Sequence, residues 1–294
     1  MHSLLRSYRN DTSFLVLVDA VGSPLTNSLI ISKKSGPQYV PPQSLREEID
    51  FRIGELKSRS QTNGFKFFDD NIARLDNWKF DKNKLYLDFS ETTYLEIAVL
   101  NLALDNPLKT QKTEKTLRDF LNENPKEIKN SSLPNPLSIN LSVILEDEGK
   151  IVLSKRSSTN LEASGLLSTI VGGTISIGHN DIDPENNPDP FTTAVRETKE
   201  ETGLTITPDD VIIFGLGRNL HTLKPELFGE INLKINSREF LNSWESASDA
   251  SESSKLLFID MNAESVKKII SFYDSSPVGK ISTLASTIFH LDLK

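Results

Sequence analysis

The chain has 294 residues, 37% of them hydrophobic, and a formal net charge of −8 at pH 7. This length and composition suffice for one large or two ordinary globular domains, and the acidic charge argues against nucleic acid as the main partner. The absence of cysteine excludes disulfides, thiolate metal sites and a cysteine nucleophile. No apolar run in the N-terminal sequence MHSLLRSYRNDTSFLVLVDAVG is long enough for a signal peptide or a membrane span. We therefore expect a cytoplasmic protein without a membrane partner.

Residues 1–104 are predicted to form a small α+β domain. SFLVLVDA predicts a strand, SLREEIDFRIGELKSRS an amphipathic helix, and NKLYLDFSETTYLEIAVLNLA a strand that runs into a helix. Residues 105–137 are rich in Lys, Asn, Pro and Ser, which is typical of a connector, and TEKTLRDFLNENP predicts one short helix within it.

Residues 138–294 have a more regular pattern and are predicted to form a second domain. SINLSVIL and IVLSKRS, joined by EDEGK, predict a β-hairpin, and the apolar run LLSTIVGGTIS is expected to be broken at Gly172-Gly173. Further strands and helices are predicted for DPFTTAVRETKEETGL, VIIFGLGRN, ELFGEINLKI, SREFLNSW, KLLFID, AESVKKIISFY and VGKISTLASTIFHL. This order predicts an α/β (α+β) fold, an α/β/α sandwich with a mixed sheet and helices on both faces.

The segment DPFTTAVRETKEETGL carries helix signals at both ends. Asp189 suits the N-cap, Pro190 the first helical position, and Gly203 the position just after the helix. The second half of this helix, RETKEETGL, is unusually acidic, so its charges need an explanation.

Three glutamates of this helix lie three and four positions apart and therefore share a face: Glu197, Glu200 and Glu201. Like charges at these spacings repel by roughly 0.2 to 0.5 kcal/mol per pair, and a bound Mg²⁺, which prefers oxygen ligands, would remove that repulsion. Arg196 is placed one turn before Glu200, where it can hold that carboxylate in one rotamer. On these residues alone, a solvated acidic helix face is favoured over a metal site.

Together with Gly172-Gly173 upstream, the helix resembles the Nudix hydrolase signature, Gly, five residues, Glu, seven residues, Arg-Glu-aliphatic-any-Glu-Glu-any-Gly-aliphatic. The resemblance implies a Nudix-type sandwich for residues 138–294 and a hydrolase acting on phosphorus-containing anhydride bonds, with Mg²⁺ as cofactor and Mn²⁺ as an alternative. It also implies that the catalytic residues are Arg196, Glu197, Glu200 and Glu201. The metal ligands implied are the Gly172 carbonyl and the same three glutamates.

The sequence departs from the signature at two places. Thr198 replaces the aliphatic residue, and the loop between Gly173 and Arg196 is longer than in the family. The signature's first glutamate falls at His179 counted from the glycine, or at Pro188 counted back from the arginine, and neither is a carboxylate. Four loop carboxylates remain as alternatives, and the sequence does not choose among them: Asp181, Asp183, Glu185 and Asp189.

Four further segments resemble the UDP-glucose-hydrolysing type of Nudix protein, whose box is also stretched: LDFSETTYLEIAVLN, NPLSINLSVILEDEGKIVLSKRS, FGLGRN and SPVGKISTLASTIFHL. This resemblance implies a nucleoside diphosphate-linked small molecule as the substrate. A nucleotide sugar such as UDP-glucose would be split into a nucleoside monophosphate and a sugar 1-phosphate. The alternatives are hydrolysis of ADP-ribose, dinucleotides or NTPs, and a catalytically weak Nudix-like module that senses a nucleotide.

Three more residues are candidates for binding the substrate. Arg156 and Arg218 are cations on predicted strands or strand ends, where they would suit a diphosphate. Glu226 and the alternative Glu230 lie on the strand after the box, where members of the family often have a further carboxylate. For each of these residues an ordinary structural role is the competing interpretation.

Overall fold

The computed structural model describes residues 2–63, 69–111, 113–158 and 162–292 of the chain. In chain order, the strands within these residues are β1 (Phe14–Asp19), β2 (Ile30–Lys34), β3 (Asn71–Asp81), β4 (Lys84–Thr93), β5 (Ser138–Leu145), β6 (Lys150–Arg156), β7 (Leu167–Thr169), β8 (Val171–Thr174), β9 (Val211–Asn219), β10 (Pro225–Leu233) and β11 (Ser253–Asp260). The helices are α1 (His2–Arg9), α2 (Arg46–Asn63), α3 (Tyr94–Val99), α4 (Leu117–Leu121), α5 (Pro190–Thr202), α6 (Ser237–Trp244), α7 (Ala263–Phe272) and α8 (Pro277–Asp292).

Eight of the strands form one mixed sheet. Its order is β1-β9-β10-β5-β6-β11, with β8 paired to β5 and β7 paired to β6. β10 and β5 run parallel, whereas the other neighbours are antiparallel. β5 is therefore flanked by β10 on one side and by β6 and β8 on the other.

Both faces of this sheet are covered by helices, because successive residues of a strand point to opposite faces. On β10, Leu227 packs into the same core as Phe191 and Ala194 of α5. Its neighbour Phe228 belongs instead to a second core, together with Leu284 of α8. The predicted α/β/α sandwich with a mixed sheet is confirmed.

The three remaining strands form a small sheet of order β2-β4-β3. Its inward side chains, such as Leu75 and Phe89, belong to the core on the α5 side of the large sheet. The backbone of Ala73 continues this contact, since its N–H donates to the Ile175 carbonyl at 3.0 Å and its carbonyl accepts from Leu137 N–H at 3.2 Å. Residues 1–104 also contribute β1 to the large sheet. The division into residues 1–104, 105–137 and 138–294 stays a prediction.

One detail of the predicted strands is wrong. The run LLSTIVGGTIS is interrupted at Ile170, and Gly172-Gly173 lie inside β8. The two glycines are therefore not a turn, and they serve the close approach of another element, described below. No helix in the described part of the chain is long and apolar enough to cross a membrane.

Candidate active site

A cavity of about 620 Å³ lies where the Gly172-Gly173 pair meets α5. Glu197 and Glu201 of α5 line it, as does Glu226 of β10. Two further clefts, of about 410 and 750 Å³, lie beside α2 and beside β3, and neither is lined by α5. The 620 Å³ cavity therefore collects most of the residues that the sequence singled out.

Four segments that are far apart in the chain meet at this same cavity: residues 87–101, 135–157, 214–219 and 276–291. Each contributes at least one residue to the wall: Tyr94, Asn140, Arg156, Asn219 and Val278. The stretch of sequence before the connector thus takes part in the site through Tyr94.

Helix α5 has the ends that the sequence predicted. The Asp189 side chain accepts hydrogen bonds from the backbone N–H groups of Phe191 (3.0 Å) and Thr192 (3.2 Å), and Pro190 occupies the first turn. Gly203 ends the helix with φ of 74°, a left-handed conformation that glycine adopts without a Cβ clash. Because Phe191 is buried in the core, the rotation of the helix is fixed and its acidic face is directed at β8.

Two of the glutamates contact the Gly-Gly pair directly. Glu201 is 8% exposed, and its Oε2 accepts a hydrogen bond from Gly172 N–H at 2.8 Å. A Cβ atom on Gly173 would overlap the Glu197 carboxylate, so only glycine leaves that carboxylate its place. The glycines of β8 therefore allow the acidic helix to approach the sheet closely.

Arg196 binds the carboxylates of the acidic face and so fixes their positions. Its guanidinium donates to Glu200 (Nη1 to Oε2, 2.7 Å) and lies 2.8 Å from Glu197 Oε1. Two further bonds go to the fully buried Asp181, from Nε at 2.9 Å and from Nη2 at 2.7 Å. Asp181 also accepts from Ser176 N–H at 2.9 Å, which fixes its own position.

Of the four loop carboxylates that the sequence left open, Asp181 is the one that contacts the acidic helix. The other three candidates are engaged or placed elsewhere: Asp183 accepts from the Asn187 backbone and side chain, Asp189 caps α5, and Glu185 is exposed. Asp181 binds the arginine of the acidic helix, a bidentate pairing that holds a guanidinium in one orientation.

Burial raises the pKa of the Glu197 carboxyl to about 8; Glu200 and Asp181 add to the shift, and Arg196 opposes it. Burial also raises the pKa of Glu201, with the nearby Glu197 as the next cause. Two buried carboxylates of like charge favour either a proton or a cation between them. Their oxygens, with the backbone of Gly172, are the kind of donors that Mg²⁺ prefers.

Glu200 does not join this pair. Its side chain is bound to Arg196 and does not line the cavity. Among the described residues no three Asp, Glu or His side chains come together as a ready-made metal site. Of the predicted metal ligands, the structure brings together Gly172, Glu197 and Glu201.

Of the three predicted substrate-binding residues, two line the cavity and one does not. Arg156 and Glu226 line the cavity. Arg218 does not: it is 0% exposed and donates to the carbonyls of Leu223 (2.7 Å) and Glu127 (2.8 Å) and to Asn135 Oδ1 (3.0 Å). Burial lowers the pKa of Arg218 to about 10, and its guanidinium is turned towards backbone. The prediction that Arg218 contacts the substrate is therefore corrected to a structural role.

Sequence reasoning did not single out four charged residues in the wall: Glu162, Lys224, Asp249 and Glu252. Lys224 is 5% exposed, and its Nζ lies 2.7 Å from Glu162 Oε2. The signal available was the spacing of Lys224 and Glu226, since residues two apart at the start of a strand share a face.

No protein-family model matches the chain, and no curated protein is significantly similar to it. Solved structures with similar folds include the NUDIX domain of Shewanella oneidensis NrtR complexed with ADP ribose, which is 14% identical over 61% of this chain and 100% of that one, with a TM-score of 0.36. A MutT protein from Methanosarcina mazei Go1 is 19% identical over 54% and 95%, with a TM-score of 0.33. A bifunctional NMN adenylyltransferase/ADP ribose pyrophosphatase from Francisella tularensis, complexed with AMP and a manganese ion, is 14% identical over 55% and 42%, with a TM-score of 0.33. Identities and TM-scores this low establish neither a family nor an activity.

Proposed function

We propose that the chain is a Mg²⁺-dependent Nudix hydrolase that cleaves the diphosphate of a nucleotide sugar such as UDP-glucose, releasing a nucleoside monophosphate and a sugar 1-phosphate. The observation that carries the proposal is the contact of Glu197 and Glu201 with Gly172-Gly173 in the cavity wall. A merely solvated acidic face would leave these carboxylates in water, whereas Glu201 is buried and bonded to the sheet.

The residues that would hold the metal ion are Glu197, Glu201 and the carbonyl of Gly172. Both carboxylates have raised pKa values because they are buried and close together, and a divalent cation relieves that situation as well as a proton does. Glu200 would join them only after its ion pair with Arg196 opens. When bound, the metal ion supplies neutralisation of charge on the diphosphate and a lowered pKa of bound water.

The chain's own residues supply orientation and positive charge. Asp181 and Arg196 hold Glu197 in place, and this support keeps the ligand geometry constant. Arg156 lines the cavity, with its Nε donating to the Glu162 carbonyl at 3.1 Å and its Nη2 3.3 Å from Glu252. Its guanidinium is thereby oriented to meet the oxygens of a diphosphate.

The test is a panel of UDP-glucose, other nucleotide sugars, ADP-ribose, dinucleotide polyphosphates and NTPs, each assayed with Mg²⁺ and with EDTA. We expect turnover that EDTA abolishes, with the highest kcat/KM for a nucleotide sugar. If none of these compounds is turned over in a metal-dependent reaction, the proposal that the chain is a hydrolase is wrong. A higher kcat/KM for ADP-ribose than for any nucleotide sugar would contradict the proposed substrate but would still support a metal-dependent hydrolase.

The ligand assignment is tested by Glu201→Gln, with Glu200→Gln as a matched control on the same helix. We expect Glu201→Gln to lower kcat/KM by on the order of a hundredfold or more, because electrostatic support of the diphosphate is lost. Glu200→Gln should lower it less, since Glu200 lies outside the cavity. Circular dichroism and thermal unfolding check that both variants fold. Near-normal activity of Glu201→Gln would contradict the assignment.

A further inference from the structure

One buried carboxylate in the cavity wall, that of Glu226, has no role in the proposed metal site. Glu226 is 2% exposed, lies on β10 and lines the cavity. The side-chain amide of Asn219 hydrogen-bonds to its carboxylate. Its Oε2 accepts no hydrogen bond from any residue that the structure describes. A buried acceptor without a donor is unfavourable, so a ligand that brings a donor to Oε2 would be stabilised there.

A buried cation accompanies this carboxylate. Lys224 is two residues before Glu226, lines the same cavity and forms an ion pair with Glu162. The chain just before Lys224 is fixed, because Arg218 Nε donates to the carbonyl of Leu223. Lys224 and Glu226 therefore present a donor and an acceptor side by side on a rigid segment.

This combination fits a hydroxyl group better than it fits a phosphate or a base. A hydroxyl can donate to the Glu226 carboxylate and accept from the Lys224 ammonium at once, and two neighbouring hydroxyls can engage both oxygens. An ionised phosphate offers only acceptors, and its charge would add to the negative charge of Glu162 beside Glu226. A base would favour aromatic walls, but Tyr94 is the only Phe, Tyr or Trp among the described lining residues, which include the polar Ser138 and Asn140.

The strand register determines how far Lys224 and Glu226 lie from the proposed metal-binding residues. Glu226 lies opposite Ser138 of β5, and Gly172 lies opposite Asn140 on the other side of that strand. Two strand spacings and an offset of two residues along β5 separate them, so their backbones are about 12 Å apart. A diphosphate held at Glu197 and Glu201 would therefore have its attached sugar within reach of Glu226.

We propose that Lys224 and Glu226 form a hydroxyl-binding site that holds a vicinal diol of the substrate, either of the sugar beyond the diphosphate or of the ribose. The site rests on the proposed function in that the ligand is taken to be a nucleoside diphosphate derivative. It would make the enzyme selective for substrates with an intact pair of hydroxyls, because a deoxy analogue leaves the buried Glu226 oxygen unpaired.

The experiment measures binding by calorimetry with Mg²⁺ in the slow Glu201→Gln background. The probes are UDP-glucose, UDP and dUDP, and in parallel ADP-ribose, ADP and dADP. We expect Glu226→Gln to weaken binding of UDP-glucose or ADP-ribose about tenfold or more and to leave dUDP and dADP unchanged. If UDP and ADP are also unchanged, the diol belongs to the sugar beyond the diphosphate; if they weaken too, it belongs to the ribose.

Two further variants serve as a second test and as a control. Lys224→Gln should weaken the same compounds as Glu226→Gln and remains informative if the latter fails to fold. Glu230→Gln is the matched control: it is buried on the same face of β10 but bonds to His290 at 2.9 Å and does not line the cavity. Glu230→Gln should leave the preference for UDP-glucose over dUDP intact.

Unchanged binding in both Glu226→Gln and Lys224→Gln would overturn the proposal, as would equal weakening of dUDP and UDP-glucose. A background that binds none of the six nucleotides would overturn it as well. The proposed function fails separately, through absence of Mg²⁺-dependent turnover by the wild-type chain. The two failures are distinguishable because the binding assay does not need turnover.

Discussion

The cavity has two walls, and each is supported by one arginine in a different way. The α5 wall consists of Gly172, Glu197 and Glu201, and Arg196 supports it through ion pairs with Asp181, Glu197 and Glu200. The β10 wall consists of Lys224 and Glu226, and Arg218 supports it through bonds to uncharged carbonyl and amide oxygens.

The difference shows how one cavity can recognise two chemical groups. On the α5 wall, carboxylates outnumber the single arginine, so the wall keeps an excess of negative charge that suits a cation. On the β10 wall, Lys224 lies between Glu162 and Glu226, so the excess of carboxylates is smaller than on the α5 wall, and the wall offers both hydrogen-bond donors and acceptors. The first wall suits a metal ion with its diphosphate, and the second suits uncharged hydroxyls.

The largest expected effect is a loss of stability with rising pH in EDTA. Burial raises the pKa of Glu197 and of Glu226 to about 8, from an ordinary value of 4.5. Between these values the folded state binds more protons than the unfolded state. The free energy of unfolding should therefore fall as pH rises from 5 to 8, by up to ~1.4 kcal/mol per pH unit for each carboxyl. Urea unfolding at each pH measures this slope.

The same experiment separates the two walls. At pH 8, Mg²⁺ should restore the part of the unfolding free energy that is lost because of the α5 carboxyls. The part that is lost because of Glu226 should not change with Mg²⁺. Glu226→Gln should flatten the part of the slope that Mg²⁺ does not affect. A slope that Mg²⁺ abolishes completely, with no change in Glu226→Gln, would contradict the distinction between the walls.

Arg218→Met should give the next largest effect. It leaves the carbonyls of Leu223 and Glu127 and the amide oxygen of Asn135 without their donor, and each buried unpaired group costs ~1 to 3 kcal/mol. We expect the free energy of unfolding to fall by at least ~3 kcal/mol, measured with urea.

The control is Arg238→Met on exposed α6, which should change stability by no more than ~0.5 kcal/mol. A stable Arg218→Met chain that had lost only substrate affinity would restore the sequence-based assignment of Arg218 to the substrate.

The fold was predictable where the signal is local. The capping residues Asp189 and Gly203 and the apolar periodicity gave α5 and most strands of the large sheet correctly. The sequence did not predict α1, β2 or β3. In β3, the 71–81 sequence NIARLDNWKFD mixes charged and apolar residues, and the strand exists because it pairs with β4. A strand that depends on such a partner has weak local signal.

The site was predictable to a similar extent. The spacing of Glu197, Glu200 and Glu201 indicated a shared helix face, and Gly172 was implied by the resemblance to the Nudix signature; the roles of these residues stay predictions. The structural role of Arg218 could not follow, because Asn135 and Glu127, which accept its bonds, lie 83 and 91 residues away. The choice of Asp181 among the loop carboxylates likewise depends on how the loop folds back on Arg196.

Asp181→Asn tests the support of the α5 wall and should have the smallest effect. The variant keeps the shape of Asp181 but removes the charge that holds Arg196, so Glu197 loses a fixed neighbour. Loss of such support lowers metal affinity or activity about 10- to 100-fold, and we expect the lower end, about tenfold in kcat, with part of the loss recovered at higher Mg²⁺. Asp183→Asn is the matched control, since Asp183 lies in the same loop but bonds to Asn187. Equal losses in both variants would mean that the loop acts as a whole and that the Asp181–Arg196 pair has no special part in positioning Glu197.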